Sequence, residues 1–141
     1  MVERIFSSPV INILNRSLDV AELRQKVIAD NIANVDTPGF KRREVIFEQK
    51  LRQALEEKNS GSLPLKTTNS RHINVNAAVS LKNVEPEIKI LNGRTFRNDG
   101  NNVDIDVETA EMSKNKILYD ALAQSMTNEL RLLRIAISGR R

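Results

Sequence analysis

The sequence predicts a mainly α protein, with long N- and C-terminal helices paired as a coiled-coil core domain and a small irregular or β segment between them. Three observations carry this. Apolar residues recur at spacings of three and four at both ends, the stretch from Asn59 to Asn102 is rich in Asn, Ser, Gly and Pro, and the chain has no Trp, four Phe and one Tyr. A chain of 141 residues so poor in large aromatic anchors has little with which to build a compact core alone, so burial against other subunits is the natural supplement. The expected division is an N-terminal helical part of the core in residues 1–58, a loop with a short β-hairpin in 59–103, and the C-terminal helix of the core in 104–141.

Ser8 before Pro9 reads as an N-cap followed by proline at the first helical position, where its missing N–H costs nothing. From there Ile11, Leu14, Leu18, Ala21, Gln25, Ile28, Ile32 and Val35 alternate spacings of three and four, the a/d pattern of a coiled-coil seam. A second line, Ile13, Val20, Leu23 and Val27, has the same spacing and is expected on roughly the opposite side of the helix, where one partner cannot cover both. Thr37-Pro38-Gly39 is expected to stop the helix, because proline biases the preceding residue away from the α region and Pro-Gly suits a type II turn.

Beyond the basic run Lys41-Arg42-Arg43, the residues Val45, Phe47, Leu51, Ala54 and Leu55 read as a shorter amphipathic helix ending near Asn59 to Gly61. Alternating runs at Ile73–Asn76 and Glu87–Ile90, with Asn92-Gly93 turning toward Thr95 and Phe96, predict a small β element. Asp104 or Asp106 caps a final helix that reaches Ile137, with Glu108 in its first turn facing the helix dipole. Its seam reads as Met112, Tyr119, Met126 and Leu133, widened by Leu118, Leu122, Leu132 and Ala136, while Ile117, Ala121, Leu130, Ile135 and Ile137 lie off the stripe. Terminal helices of about 27 and 32 residues would span about 40 and 48 Å. Such a pair leaves apolar lines uncovered on the isolated subunit, which predicts an assembly surface. Identical units with two distinct sticky sides join head to tail, into a helical filament or ring.

The net charge of +4 does not form a basic stripe. Up to Lys58 there are ten basic and nine acidic residues, and from Asp104 onward six of each, so nucleic acid is not an expected partner. The absence of cysteine excludes disulfides, thiolate catalysis and zinc-thiolate sites. His72 is the only histidine and has no nucleophile motif beside it; Asp99, Asp104 and Asp106 lack the twelfth-position Glu of a calcium loop. No catalytic, cofactor or metal site is expected, nor a small-molecule substrate. No run of about 18 apolar residues could span a bilayer, and the first residues lack the apolar core of a cleavable signal peptide.

The stretch from Ile28 through Asn31, Asn34, Thr37, Pro38 and Gly39 to Lys41, IADNIANVDTPGFK, resembles the N-terminal signature of flagellar rod, hook and hook-associated axial proteins. Short length without a large inserted domain points to the proximal-rod members. Arg24-Gln25, Arg71-His72-Ile73, and Asn101-Asn102-Val103-Asp104 leading into Glu111, Asn115, Tyr119 and Leu133-Arg134 favour one type among these. The resemblance implies terminal helices paired around the axis, and the periodicity puts Ile11, Leu14, Leu18, Ile28, Ile32, Tyr119, Leu122, Met126 and Leu133 in the assembly seam. It implies synthesis in the cytoplasm, export through the flagellar type III apparatus without a cleaved leader, and a place in the basal-body rod crossing the periplasm. The implied partners are copies of itself, other rod subunits, and membrane-ring and export-gate proteins. Asn34 reads as a helix-end residue; Asn31, beside the seam, is either that or a register-fixing hydrogen-bonder. The competing class is a basic helical adaptor for nucleic acid or an acidic protein.

Overall fold

A helix of 25 residues, Pro9–Ala33 (α1), is the first described element of the computed structural model, which describes residues 9–59, 84–93 and 97–139. Four more elements follow: strand Arg43–Ile46 (β1), helix Glu48–Asn59 (α2), strand Glu87–Ile90 (β2) and helix Ile105–Ser138 (α3). The chain forms two compact units, one of Met1–Val45 with Ile88–Arg141 and one of Ile46–Glu87.

In the larger unit α1 packs on α3. Asn31 reaches Glu108 while Ala21 and Gln25 reach Asn115, so the two helices run antiparallel. The buried face of α1 comprises Val20, Ala21, Val27, Ile28 and Asn31. This corrects the expectation for the second apolar line, because Val20 and Val27 are 4% and 7% exposed within the single chain. At about 100° per residue the two lines are separated by roughly 145°, and the packing face falls between them. It takes Val20 and Val27 from one line and Ala21 and Ile28 from the other. Ile11, Leu14, Leu18 and Ile32 of the first line, and Ile13 and Leu23 of the second, are half-buried.

The helix also ends earlier than expected. α1 stops at Ala33, so Val35 lies in the turns that follow and not on the seam. Pro38-Gly39 does form the predicted turn: Phe40 N–H donates to Thr37 O at 3.3 Å, and Gly39 has φ 73°, the arrangement of a type II turn. A side chain at Gly39 would meet no neighbour within 4 Å, so its whole cost is the left-handed backbone. Gly39→Ala is therefore expected to lower stability by about 1 kcal/mol, read from the urea midpoint. A loss several times larger would show that this account of the turn is wrong.

Val45 belongs to β1 and not to the short helix, which begins at Glu48. Glu44 is exposed and Val45 buried, Ile46 half-buried and Phe47 buried, a period of two that a β-branched residue favours. The partner of β2 is β1, in a two-stranded antiparallel sheet. Thr95 and Phe96, toward which a hairpin at Asn92-Gly93 is expected, lie outside the described residues, as do His72 and the run Ile73–Asn76. In the smaller unit Phe47, Ala54 and Val84 are buried, and Lys50 pairs with Glu87 at 2.5 Å.

α3 is 34 residues long and is capped at both ends. Asp104 is the N-cap, accepting from Asp106 and Val107 N–H at 3.0 and 3.4 Å. Gly139, φ 60°, closes the C-terminus by donating to Ile135 O at 3.1 Å. From the antiparallel register, Pro9 comes opposite roughly residue 129 of α3. About the last two and a half turns of α3 therefore extend beyond the described part of α1.

Candidate assembly site

Two features of the larger unit bear on function: a knot of buried polar side chains at one end of the helix pair, and an apolar surface along α3. The knot grows from the signature residues. Asn31 is fully buried on α1, and its amide pairs with the backbone of Arg43, accepting from Arg43 N–H at 3.0 Å and donating to Arg43 O at 2.9 Å. The side chain thus takes the place of a neighbouring strand for β1. Its second N–H goes to Glu108 Oε2 at 3.0 Å, which ties the far end of α1 to the first turn of α3. Of the alternatives open for Asn31, the hydrogen-bonder is what the structure shows.

Glu108 is fully buried, and its other oxygen accepts from the Arg42 guanidinium. A buried carboxylate is tolerated only when paired and hydrogen-bonded, and here both oxygens are engaged. Arg42 N–H donates to Asn102 Oδ1 at 2.7 Å, Asn102 Nδ2 donates to Leu91 O at 2.7 Å, and Leu91 N–H returns to Arg42 O at 2.9 Å. The segment after β2 is thereby closed onto the segment before β1.

Asn101, also fully buried, collects the backbone left over at the end of α1. Its Nδ2 lies 2.9 Å from each of the carbonyls of Asn34, Val35 and Thr37, and its Oδ1 accepts from Val103 N–H at 2.8 Å. All three carbonyls follow the last helical residue, Ala33, so this one side chain gathers the turns into which α1 ends. The Pro-Gly turn lies against the same loop: Gly39 N–H donates to Asp99 O at 2.9 Å, and Lys41 Nζ to Gly100 O at 2.6 Å. Asn34 is a helix-end residue, donating back to Asp30 O at 2.8 Å and accepting from the Thr37 hydroxyl at 3.3 Å.

The second feature is the uncovered part of α3. Tyr119 and Leu118 are exposed, as are Leu130, Leu132 and Ile135, and Ile117 and Ile137 reach 71% and 72%. Leu122, Met126 and Leu133 are half-buried. Among the described residues no group of His, Cys, Asp and Glu could hold a metal ion, and no helix is long and apolar enough to cross a membrane. The residues that sequence reasoning missed are Arg42, Asn102 and above all Glu108, which was assigned to the helix dipole. Glu108, Met112, Asn115, Tyr119 and Leu122 are spaced four, three, four and three. That spacing extends the α3 seam one turn upstream and places Glu108 on the packing face.

An antiparallel helix pair locked by its own signature, with the rest of its longer helix left apolar and uncovered, is the frame of a structural subunit. The family described as Flagella basal body rod protein matches residues 16–41, the span from α1 through the Pro-Gly turn to Lys41. The chain is 37% identical over 127 residues to the flagellar basal body rod protein FlgB of Borrelia hermsii, covering 90% of this chain and 94% of that protein. It is 34% identical over 136 residues to FlgB of Bacillus subtilis, covering 96% and 97%, and 32% identical over 130 residues to FlgB of Aquifex aeolicus, covering 92% and 94%. The chain belongs to the FlgB family of flagellar basal body rod proteins. Its relatives are structural rod proteins and not enzymes, and the adaptor alternative is not favoured.

Proposed function

We propose that this chain is a proximal-rod subunit that leaves the cytoplasm through the flagellar type III apparatus without a cleaved leader and polymerises through its terminal helices. Copies of itself and other rod subunits are its neighbours along the axis, with membrane-ring and export-gate proteins at the base. The observation that carries the polymerisation step is the apolar surface of α3, where Ile117, Leu118 and Tyr119 are exposed beside α1 and Leu130, Leu132, Ile135 and Ile137 are exposed toward the end that the described part of α1 does not reach. In this scheme Ile11, Leu14, Leu18, Ile32, Tyr119, Leu122, Met126 and Leu133, all only partly covered in the single chain, complete their burial against neighbours. Val20 and Val27 do not take part, because the chain buries them itself. Deleting the gene is expected to abolish hook and filament while the membrane ring remains, as seen by electron microscopy of isolated basal bodies. Intact hooks in the deletion strain would sink the proposal.

A further inference from the structure

Between α1 and α3 runs a groove of about 600 Å³ with Glu22, Gln25, Ser113, Asn115 and Tyr119 among its lining residues. Asn115 is 4% exposed, and its Nδ2 donates to Ala21 O at 2.9 Å and Gln25 Oε1 at 3.1 Å, while its Oδ1 is buried with no hydrogen-bond partner. A buried acceptor without a donor is unfavourable, and supplying the donor relieves it. The groove is rich in acceptors: Asn115 Oδ1, Gln25 Oε1, the Ser113 and Tyr119 hydroxyls and the Glu22 carboxylate. Glu22 is held below the usual carboxylate range by the hydrogen bond and then the charge of Lys26, so it stays ionised. Lys116 is the one cation in the lining. The chemistry fits an occupant that is apolar in body and carries a multidentate donor.

The last turns of α3 have that character. Leu130, Leu132, Ile135 and Ile137 are exposed there, and Arg134 sits between Leu130 at i−4 and Ile137 at i+3 on one face. An arginine presents five N–H donors in a rigid fork and stacks on aromatic rings. The chain's own end cannot supply it, because Tyr119 and Arg134 lie roughly 22 Å apart along one continuous helix. We propose that this groove receives the C-terminal end of α3 from a second copy of the chain, with the partner's guanidinium at position 134 satisfying Asn115 Oδ1 and packing over Tyr119. Groove and helix end are different surfaces, so the contact is head to tail and repeats without closing on a pair. The inference rests on the reading that copies of this chain pack against one another in the rod.

The chain has no cysteine, so Ser113→Cys and Ser138→Cys introduce the only thiols, each nearly isosteric and each at an exposed position. The double variant is expressed at full length in cells lacking the native copy, and isolated basal bodies are treated with a short bis-maleimide. Dimers and higher multiples of the 15.9 kDa chain are expected on a denaturing gel, with neither single variant giving any. Adding Arg134→Ala is expected to lower the cross-linked fraction roughly tenfold, and Arg134→Lys less, since a charge-assisted hydrogen bond is lost in the first case only. Double-variant chains present in the basal bodies but not cross-linked would overturn the proposal, as would cross-linking of either single variant to itself. Absence of the unsubstituted chain from basal bodies of cells that carry it in place of the double variant would instead sink the rod assignment of this chain.

Discussion

Asn101→Ala is expected to destabilise the folded subunit by about 2 kcal/mol, although it removes only a small side chain from a loop. The side chain is fully buried and serves three carbonyls and one N–H. After truncation Val103 N–H loses its partner, at about 1 kcal/mol, while the carbonyls of Asn34, Val35 and Thr37 keep Thr37 N–H, the Arg97 guanidinium and Phe40 N–H and each lose one of two hydrogen bonds, at about 0.3 kcal/mol apiece. The exposed neighbour Asn98 is the control, and Asn98→Ala is expected to change stability by no more than about 0.5 kcal/mol. Urea unfolding followed by circular dichroism measures both, with an unchanged slope showing that the unfolded state is the same. A loss below about 1 kcal/mol for Asn101→Ala would mean that water replaces the amide and that the loop is not the lock on the end of α1.

The Asn101 lock shows why part of this molecule was legible in the sequence and part was not. The long helices were legible because amphipathic periodicity and capping residues are local signals: Pro9 at the start of α1 and Asp104 ahead of α3 act within a turn of where they stand. The Pro-Gly turn was legible for the same reason, since Gly39 supplies the positive φ that the turn type demands. The strand pairing was not, because β1 and β2 are brought together by contacts about 40 residues apart, and nothing near Glu87 names Arg43 as its neighbour. Nor was the end of α1, which is held by an asparagine 67 residues downstream of Asn34.

The packing face of α1 failed in a more instructive way. Two clean lines of apolar residues invited one partner each, yet a helix that touches both a second helix and a strand needs a wide face. Arg24 Nη2 reaching Val45 O at 3.4 Å and Asn115 reaching Ala21 O show both neighbours meeting α1. A broad stripe centred between the lines serves them better than either line alone. Glu108 and Asn115 were obscured by their polarity: both occupy the α3 seam by spacing, and an apolar pattern search passes over them. Buried polar residues of this kind set register more than they add stability, and here they tie α1 and α3 at two points.

The sharpest separation of folding from assembly comes from charges placed on buried and exposed apolar positions. Val27, on α1, is 7% exposed and belongs to the buried core, so Val27→Asp puts an unpaired carboxylate there and is expected to cost more than about 3 kcal/mol. That variant should lose its helical circular dichroism or unfold at much lower urea. It should then fail in the rod for that reason alone. Ile137→Asp lies on the exposed end of α3 and is expected to leave stability within about 0.5 kcal/mol of the original. If neighbours cover that end, the same carboxylate is buried on assembly, and the folded variant is expected to be exported yet missing from isolated basal bodies. Secreted protein, urea midpoint and basal-body content are measured on the same strains, so a folding defect cannot pass for an assembly defect. Normal rods built from Ile137→Asp chains would show that this end of α3 stays in solvent, and the polymerisation scheme drawn from its exposure would fall while membership of the family stood.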